Sequence, residues 1–400
     1  MRGFAFSRGS PRAILLVVTL AIFTDMLVYG LVVPILPRYA TTLGASQAAI
    51  GLLFGSYAVA LLVATPFWGI LSDRVGRRGP MLWGLIGLAI ATLLFAFARS
   101  FPELVIARLL QGVSAAATWT AGLALLADYF PPATRGKMMG IALTGMAVGT
   151  LIGPSFGGLL FEWGGYRLPF LVAASLAILD GVARAWFLVD PPHVADKRPV
   201  LFNLLRERSV LGTNLVVMLG AAIPSLLEPT LPLHLQEHLS ASPGIIGVLF
   251  GVPTLAYGIS APVFGALSDR LGRVRLMVVG LVAMALALPL VALPRSMPME
   301  VGALLLLGGT VSLVLTPTLP ELADAVDRRG GGAYGAAYAV YTAAYSFGMM
   351  TGPVAGGLLA GAFGLPVALV ISGLAVLLCI PVLITIAHNR TVIRKVTSSP

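Results

Sequence analysis

Residues 69–77 read GILSDRVGR, and residues 265–273 read GALSDRLGR. Each segment begins at the end of a long apolar run and carries a short group of charged residues. Two further pairs recur at nearly the same spacing: PILP at 34–37 with PTLP at 229–232, and GPSFGG at 153–158 with GPVAGG at 352–357. The sequence therefore predicts two similar halves, residues 1–189 and 210–400, joined by a polar linker at 190–209.

The composition assigns these halves to the membrane. Hydrophobic residues make up 58% of the 400 residues and charged residues only 10%, with a mean hydropathy of +0.95. Soluble domains carry about 25% charged residues, so this chain cannot build a water-facing surface of ordinary size. The one cysteine, Cys379, excludes a disulfide framework.

The apolar runs predict an all-α membrane protein with two six-helix bundles. A helix that spans a bilayer needs about 20 mostly apolar residues. Twelve such runs lie near 13–36, 47–71, 80–98, 103–126, 137–161, 168–189, 210–233, 244–267, 276–294, 299–322, 332–361 and 365–387. The first is longer than the apolar core of a signal peptide and contains Asp25, so we expect a retained helix.

The basic residues predict the orientation. If both termini are cytoplasmic, the inner segments contain 20 Lys and Arg residues and the outer loops contain four. Such an asymmetry is typical of membrane proteins, whose cytoplasmic loops are enriched in positive charge. The net charge of +10 is thus a signal of topology, and we expect no nucleic-acid partner.

Two similar halves in the same orientation are the plan of many secondary transporters. In that plan the substrate binds where the halves meet near mid-membrane, and one half rocks against the other. Small residues four positions apart let helices approach closely, which indicates either tight packing or a moving seam. These residues include Gly149 and Gly153 in the first half and Gly352 in the second, and the adjacent Pro154 and Pro353 are expected to bend their helices locally.

Three ionisable residues within the apolar runs are the candidates for chemistry: Asp25, Glu228 and Arg108. Charges in hydrocarbon are costly and usually functional. A carboxyl group removed from water tends to keep its proton, so Asp25 or Glu228 can exchange a proton for a cation. The alternatives are a helix-to-helix hydrogen bond for Asp25 and an interfacial position for Glu228. Arg108 is expected to pair with a carboxylate or with backbone carbonyls, in a structural or a coupling role.

Other spacings predict contacts on a single helix face. Asp180 and Arg184 stand four apart and predict a structural ion pair. Tyr334, Tyr338, Tyr341 and Tyr345 also share one face. Their rings suit an aromatic or lipophilic cation, with interfacial belting or ordinary packing as the alternative. Tyr57 and Trp119 are further candidates for the substrate cavity.

At this point the sequence resembles the major facilitator superfamily. GILSDRVGRRGP at 69–80 is similar to the superfamily's loop motif, ARLLQG at 107–112 to its helix 4 motif, and GMAVGTLIGPSFGG at 145–158 to the helix 5 motif of its proton-coupled antiporters. FTDMLVYGLVVPILPRY at 23–39 and LLEPTLPLHL at 226–235 resemble vesicular monoamine transporters and bacterial multidrug exporters. The resemblance implies a gating role for Asp73, Arg74, Arg77, Asp269 and Arg270, with a simple topological anchor as the alternative.

The resemblance has one clear difference. The monoamine transporters carry a lysine on helix 2 and acidic residues on helices 10 and 11, where this sequence has Tyr57, Leu315 and Thr342. The charge network is therefore smaller, and a broader bacterial drug exporter fits better than a monoamine carrier.

The resulting hypothesis is a proton-coupled antiporter that exports lipophilic cations or aromatic amines, with protons as the coupling ion and no other cofactor. The alternative is a proton-independent or symporting facilitator for sugars or other metabolites. No catalytic triad, metal cluster or phosphate loop stands out in the sequence, so an enzyme is not expected, and a receptor would show no flux. We expect a monomer in contact with membrane lipid, in a plasma membrane of the bacterial inner type.

Overall fold

In the computed structural model the chain is described over residues 8–190, 208–327 and 334–397. These residues form helices and turns, without a strand. The first half contains α1 (Pro11–Leu31), α2 (Leu36–Thr42), α3 (Gln47–Val75), α4 (Arg78–Phe97), α5 (Phe101–Tyr129), α6 (Pro132–Gly164) and α7 (Arg167–Phe187). The second contains α8 (Arg208–Leu239), α9 (Pro243–Leu271), α10 (Arg273–Ala287), a short 3-10 helix (Leu288–Ala292), α11 (Met297–Leu315), α12 (Thr318–Asp327), α13 (Tyr334–Phe363) and α14 (Leu365–Thr397).

Ten helical segments between Pro11 and Asp327 are long and apolar enough to cross a membrane. The helices α13 and α14 follow them, so the described segments match the predicted apolar runs one by one. The prediction of an all-α membrane protein is confirmed. The side of the membrane on which the termini lie stays a prediction.

The chain separates into two compact units. The first comprises Met1–Asp196 together with Ser240–Gly251, and the second comprises Lys197–Leu239 together with Val252–Pro400. Helix α9 therefore begins in the first unit and ends in the second. Most of the predicted linker, residues 191–207, lies outside the described residues.

In the first unit, α6 packs on α1 through a row of glycines. A Cβ atom on Gly149 would lie 2.7 Å from the Phe23 carbonyl oxygen, and one on Gly153 would lie 2.8 Å from the Leu27 oxygen. Gly145 and Gly157 face the α1 backbone in the same way, at Thr19 and Leu31. We call this row, Gly145, Gly149, Gly153 and Gly157, the first glycine strip.

The second unit repeats this arrangement between α13 and α8. A Cβ on Gly356 would lie 2.9 Å from the Leu226 carbonyl oxygen, and Gly348 and Gly352 abut the backbone at Met218 and Ala222. We call Gly348, Gly352 and Gly356 the second glycine strip. Both helices continue through the proline beside the strip, Pro154 in α6 and Pro353 in α13. Each strip joins helices within its own unit, which accords with the tight-packing interpretation.

The repeated loop motif ends one helix and starts the next. Gly76 follows α3 with φ 90°, and Gly272 follows α9 with φ 91°. Residues with a side chain rarely adopt this left-handed backbone, whereas glycine does so without strain. The glycine of the motif thus fixes the turn that places the neighbouring arginines.

The two proline pairs of the repeat have different effects on the helices that contain them. Pro34 and Pro37 lie where α1 ends and α2 begins, and residues 32–35 form turns. Pro229 and Pro232 lie inside the continuous helix α8. The same motif therefore interrupts the helix in one unit and not in the other.

Candidate functional site

The central group of the first unit is the carboxyl of Asp25, on the buried side of α1. Asp25 is 1% exposed. The indole Nε1 of Trp119, on α5, donates a hydrogen bond of 2.8 Å to Asp25 Oδ2. The hydrogen bond that was one alternative for Asp25 is present, and it brings Asp25 together with the cavity candidate Trp119.

A buried ion pair on α7 lies near this carboxyl. Arg184 donates from Nε and Nη2 to Asp180 Oδ2, at 2.9 and 2.5 Å. Arg184 Nη1 also donates to the Met81 carbonyl at 3.0 Å and to the Thr118 hydroxyl at 3.2 Å. Both charges of the pair act electrostatically on Asp25. The predicted ion pair is confirmed, and the structure adds its link to Asp25.

Arg108, on α5, is completely buried within a set of aromatic rings. Its Nη1 donates to Gln111 Oε1 at 2.7 Å. Its guanidinium carbon lies 4.8 Å from the ring centre of Phe54, 5.1 Å from that of Tyr29 and 5.5 Å from that of Tyr57. These contacts are with an amide oxygen and three rings, and the pairing of Arg108 with a carboxylate or a backbone carbonyl stays a prediction. Tyr57, a candidate for the cavity, is buried in this ring cluster.

In the second unit, Glu228 lies on α8 and is half-buried. It lies within electrostatic range of Tyr345 on α13. Tyr341 stacks on Tyr345 with ring centres 6.3 Å apart, and Tyr257, on α9, interacts electrostatically with both tyrosines. We call Tyr257, Tyr341 and Tyr345 the tyrosine cluster. The side chains of Tyr334 and Tyr338 lie outside the described part of the chain.

Arg77 is the centre of an ion-pair cluster in the first unit. It pairs with Asp73 at 2.5 Å and with Asp128, at the end of α5, at 3.0 Å. It also donates to the Ser72 hydroxyl at 2.8 Å. Burial acts against the charged form of Arg77, but the hydrogen bonds that it donates to the Asp73 and Asp128 carboxylates, with their negative charges, outweigh burial and raise the pKa of the guanidinium. Arg77 therefore stays charged, and it ties the α3–α4 turn to the end of α5.

A matching cluster surrounds Arg273 in the second unit. Arg273 pairs with Asp269 at 3.5 Å and with Asp324 of α12. It also donates to the Pro320 carbonyl. Arg77 and Arg273, with their aspartate partners, correspond at one constant offset of 196 residues.

Arg74 and Arg270, which were expected to share the gating role, are exposed in the structure. Neither contributes to the ion pairs found among the described residues. The motif residues that the structure brings together are therefore Asp73 with Arg77, and Asp269 with Arg273.

Asp190 completes the first cluster from the end of α7. Its Oδ1 accepts hydrogen bonds from the backbone N–H groups of Arg77, at 2.7 Å, and Arg78, at 2.8 Å. These groups begin α4, where the helix dipole favours a negative charge. Asp190 therefore ties the α3–α4 turn to the segment that follows α7.

Several of these residues were missed by sequence reasoning, although a signal existed for two of them. Leu-Ala-Asp occurs at 126–128 and again at 322–324, at the same offset as the loop motif. This repeat identifies Asp128 and Asp324. No comparable pattern marks Asp190 or Tyr257, whose roles depend on packing.

Another missed residue is Glu300, in the first turn of α11. It is 1% exposed, and its Oε1 has no hydrogen-bond partner among the described residues. It was overlooked because the end of an apolar run is usually an ordinary interfacial position.

The comparisons with known proteins agree with this geometry. The family model of the Major Facilitator Superfamily matches residues 18–223 and again residues 210–398. The two matches correspond to the two similar halves of the sequence.

The chain is also similar to vesicular transporters of animals. It is 34% identical over 339 residues to the synaptic vesicular amine transporter of Bos taurus, covering 83% of this chain and 65% of that protein. It is 35% identical over 331 residues to the chromaffin granule amine transporter of Rattus norvegicus, covering 81% and 63%. A probable vesicular acetylcholine transporter-B of Danio rerio is 32% identical, covering 86% and 73%. The chain thus spans about 65% of the length of the amine transporters that it matches.

Solved structures show the same fold. A bacterial homolog of the human lysosomal transporter Spinster has a TM-score of 0.83 at 17% identity, covering 94% of this chain and 97% of that one. The human organic anion transporter MFSD10 has a TM-score of 0.67 at 22% identity, covering 93% and 99%. Two matches to one family model, relatives above 30% identity and a shared helical fold lead to one conclusion: the chain is a multi-pass membrane protein that belongs to the major facilitator superfamily.

Proposed function

We propose that this transporter is a proton-coupled antiporter that exports lipophilic cations, of the aromatic amine type, by alternating access. Protons are the coupling ion, and one carboxyl from each unit, Asp25 and Glu228, takes part in the exchange. A carboxyl that binds either a proton or a cation, but not both, couples the movement of one to the movement of the other.

The observation that carries this proposal is the burial of Asp25 in the middle of α1. An ionised carboxylate removed from water is costly unless a charge or a donor compensates it. Here the compensation is the single N–H of Trp119, at 2.8 Å, and the positive charge of Arg184 is shared with Asp180. A bound proton or organic cation supplies the remaining compensation for the negative charge of Asp25. The indole ring of Trp119 offers an aromatic face to a cation.

The second unit supports the same class of substrate. Glu228 offers a negative charge, and the tyrosine cluster offers ring faces on two helices beside it. Aromatic rings next to a carboxylate are the usual environment for organic ammonium groups. The relatives named as amine transporters support this choice of substrate.

The test uses the purified full chain in liposomes with an imposed pH gradient. Uptake of ethidium, an aromatic lipophilic cation, is followed for the wild type, Asp25→Asn and Glu228→Gln. We expect gradient-driven uptake in the wild type and a loss of at least about tenfold in either amide variant, since removing a buried charged partner costs more than 1.4 kcal/mol. Glu237→Gln is the matched control, because Glu237 is an exposed carboxyl on the same helix as Glu228.

The competing function is a facilitator for a neutral metabolite. In that case ethidium uptake ignores the pH gradient and survives both amide substitutions. Such a result would sink the antiport proposal, provided that the Glu237→Gln control transports as the wild type does.

We also propose that the protein is a monomer in a plasma membrane of the bacterial inner type, with both termini cytoplasmic. The distribution of 20 inner against four outer basic residues supports the orientation, and the presence of both similar halves in one chain supports the monomer. Cysteine residues introduced near each terminus would react only with membrane-permeant thiol reagents in whole cells. Labelling by an impermeant reagent would contradict the orientation.

A further inference from the structure

We infer that Asp180 and Arg184 are positioning residues of the Asp25 site, and that their ion pair sets the charge of this site so that it exchanges one proton for one monovalent cation. The inference rests on the proposed function and extends it to the charge of the substrate. The spacing of Asp180 and Arg184 predicts the pair itself, but α7 carries none of the repeated segments, and no sequence motif links the pair to Asp25.

The guanidinium of Arg184 is fixed in place. It is completely buried, and its nitrogens donate to three different helices: Asp180 on α7, Met81 on α4 and Thr118 on α5. Bonds in three directions prevent the side chain from turning away. The positive charge is therefore a permanent feature of this part of the first unit.

Two consecutive residues of α5 connect this charge to Asp25. Thr118 and Trp119 are consecutive residues of α5. Thr118 accepts from Arg184, and Trp119 donates to Asp25. The two charged groups are thus attached to neighbouring residues of one helix, and both Arg184 and Asp180 act electrostatically on the Asp25 carboxyl.

The net charge of Asp25, Asp180 and Arg184 together changes by one unit when Asp25 releases its proton. The group contains two carboxyls and one guanidinium, so it is neutral when Asp25 is protonated and carries one negative charge when Asp25 is ionised. Among the described residues, α5, α6 and α7 pack most extensively against α1, and α3 meets it where the uncharged rings of Tyr57 and Tyr29 lie 4.7 Å apart. Of these, α7 supplies Asp180 and Arg184, α5 supplies the Trp119 N–H, and α6 faces α1 with the first glycine strip. The other buried arginine of α5, Arg108, is held in its own ring cluster.

The Asp180 carboxylate has one oxygen that accepts no hydrogen bond from the described residues. Its Oδ1 is buried but has no hydrogen-bond partner among the described residues, while Oδ2 accepts two bonds from Arg184. A purely structural buried ion pair needs all its lone pairs satisfied to offset the loss of water. A buried oxygen without a partner among the described residues, on a carboxylate that acts electrostatically on a second carboxyl, is instead a feature of a site that binds a proton or another donor.

The test measures ethidium binding to the purified, detergent-solubilised full chain between pH 5 and pH 9. Protons displace the cation as the pH falls, which defines a midpoint for the wild type. In Asp180→Asn the freed Arg184 stabilises ionised Asp25, so the midpoint moves to lower pH by about one unit or more. In Arg184→Gln the negative charge of Asp180 acts on Asp25 without the opposing positive charge, so the midpoint moves to higher pH. In the double variant the charge balance returns, and so does the midpoint.

A merely structural pair predicts a different pattern. The melting temperature then falls in the single variants, while the midpoint stays where the wild type has it. Glu103→Gln, an exposed carboxyl on α5, controls for a general effect of charge on the midpoint. If Arg184→Gln does not fold, Asp180→Asn, the double variant and the charge-preserving Arg184→Lys still decide the question.

The outcomes separate the two proposals. Ethidium binding that is independent of pH in the wild type overturns the proposed function and this inference together. Binding that depends on pH in the wild type, loses this dependence in Asp25→Asn, and keeps its midpoint in the Asp180 and Arg184 variants overturns the inference alone.

Discussion

The two units share the same packing contacts, which we call the shared frame, but they differ in the charges that they bury. Both have a glycine strip and an arginine held by two aspartates, and the arginine clusters match at one offset. The first unit buries two arginines and two aspartates, Arg108, Arg184, Asp25 and Asp180. Among its described residues, the second unit buries acidic side chains, including Glu300, but no lysine or arginine. The shared frame depends on the spacing of residues along the chain, so both halves of the sequence can repeat it. A buried charge instead needs a specific partner in the tertiary structure.

The glycine strips provide the strongest test of the shared frame. Gly157→Ala and Gly352→Ala each push a methyl group into the backbone of the facing helix, at Leu31 and Ala222. Overpacking of this kind costs about 1–3 kcal/mol. We expect both variants to lower the melting temperature in detergent by similar amounts, with loss of folded protein on extraction.

The matched controls are Gly136→Ala and Gly258→Ala, where an added Cβ meets nothing within 4 Å. These substitutions should keep or raise the melting temperature, because alanine favours a helix over glycine by about 0.5–1 kcal/mol. If a strip variant has the same melting temperature as its control, close packing at that glycine strip does not stabilise the unit.

The arginine clusters test whether the halves are equivalent in transport. Arg77→Ala and Arg273→Ala each release two aspartates. We expect a fall in turnover of about tenfold, with little change in apparent substrate affinity, since a hydrogen bond to a charged group contributes about 1.5–3 kcal/mol. Initial uptake rates at several ethidium concentrations give both quantities.

Arg74→Ala and Arg270→Ala are the controls from the same motif. Both side chains are exposed, and we expect their rates to stay near that of the wild type. Equal losses in all four variants would mean that the motif acts through its total charge rather than through the two paired arginines. A loss in Arg77→Ala alone would show that the units are not equivalent.

The aromatic groups should produce the smallest effects and sharpen the difference between the interiors. Tyr345→Phe keeps the ring, whereas Tyr345→Leu removes it. Cation–π contacts contribute about 0.5–2 kcal/mol, so we expect the leucine variant to weaken ethidium binding a few-fold and the phenylalanine variant to bind like the wild type. Equilibrium binding in detergent measures both.

In the first unit the aromatic ring next to the carboxyl is that of Trp119, and it also donates a hydrogen bond to Asp25. Trp119→Phe keeps an aromatic face but loses the bond to Asp25. We therefore expect weaker ethidium binding in Trp119→Phe than in Tyr345→Phe. If the two variants bind equally well, the Trp119 N–H does not contribute to the site.

Much of this protein followed from the sequence itself. The membrane class, the helical segments and the repeat depend on composition, run length and spacing, which are local properties of the chain. The glycine spacing predicted close helix packing, and the spacing of Asp180 and Arg184 predicted their ion pair, because a helix places residues four apart on the same face.

The partners of the buried charges were decided only by the tertiary structure. Arg108 lies among three rings and a glutamine, Asp25 bonds to a tryptophan 94 positions away, and Asp190 caps a helix that begins 112 positions before it. Such contacts join helices that are distant in sequence, and the periodicity of one helix says which face is buried but not which side chain meets it. The sequence alone determined that charges lie inside the membrane, and the packing of the helices determined what holds them there.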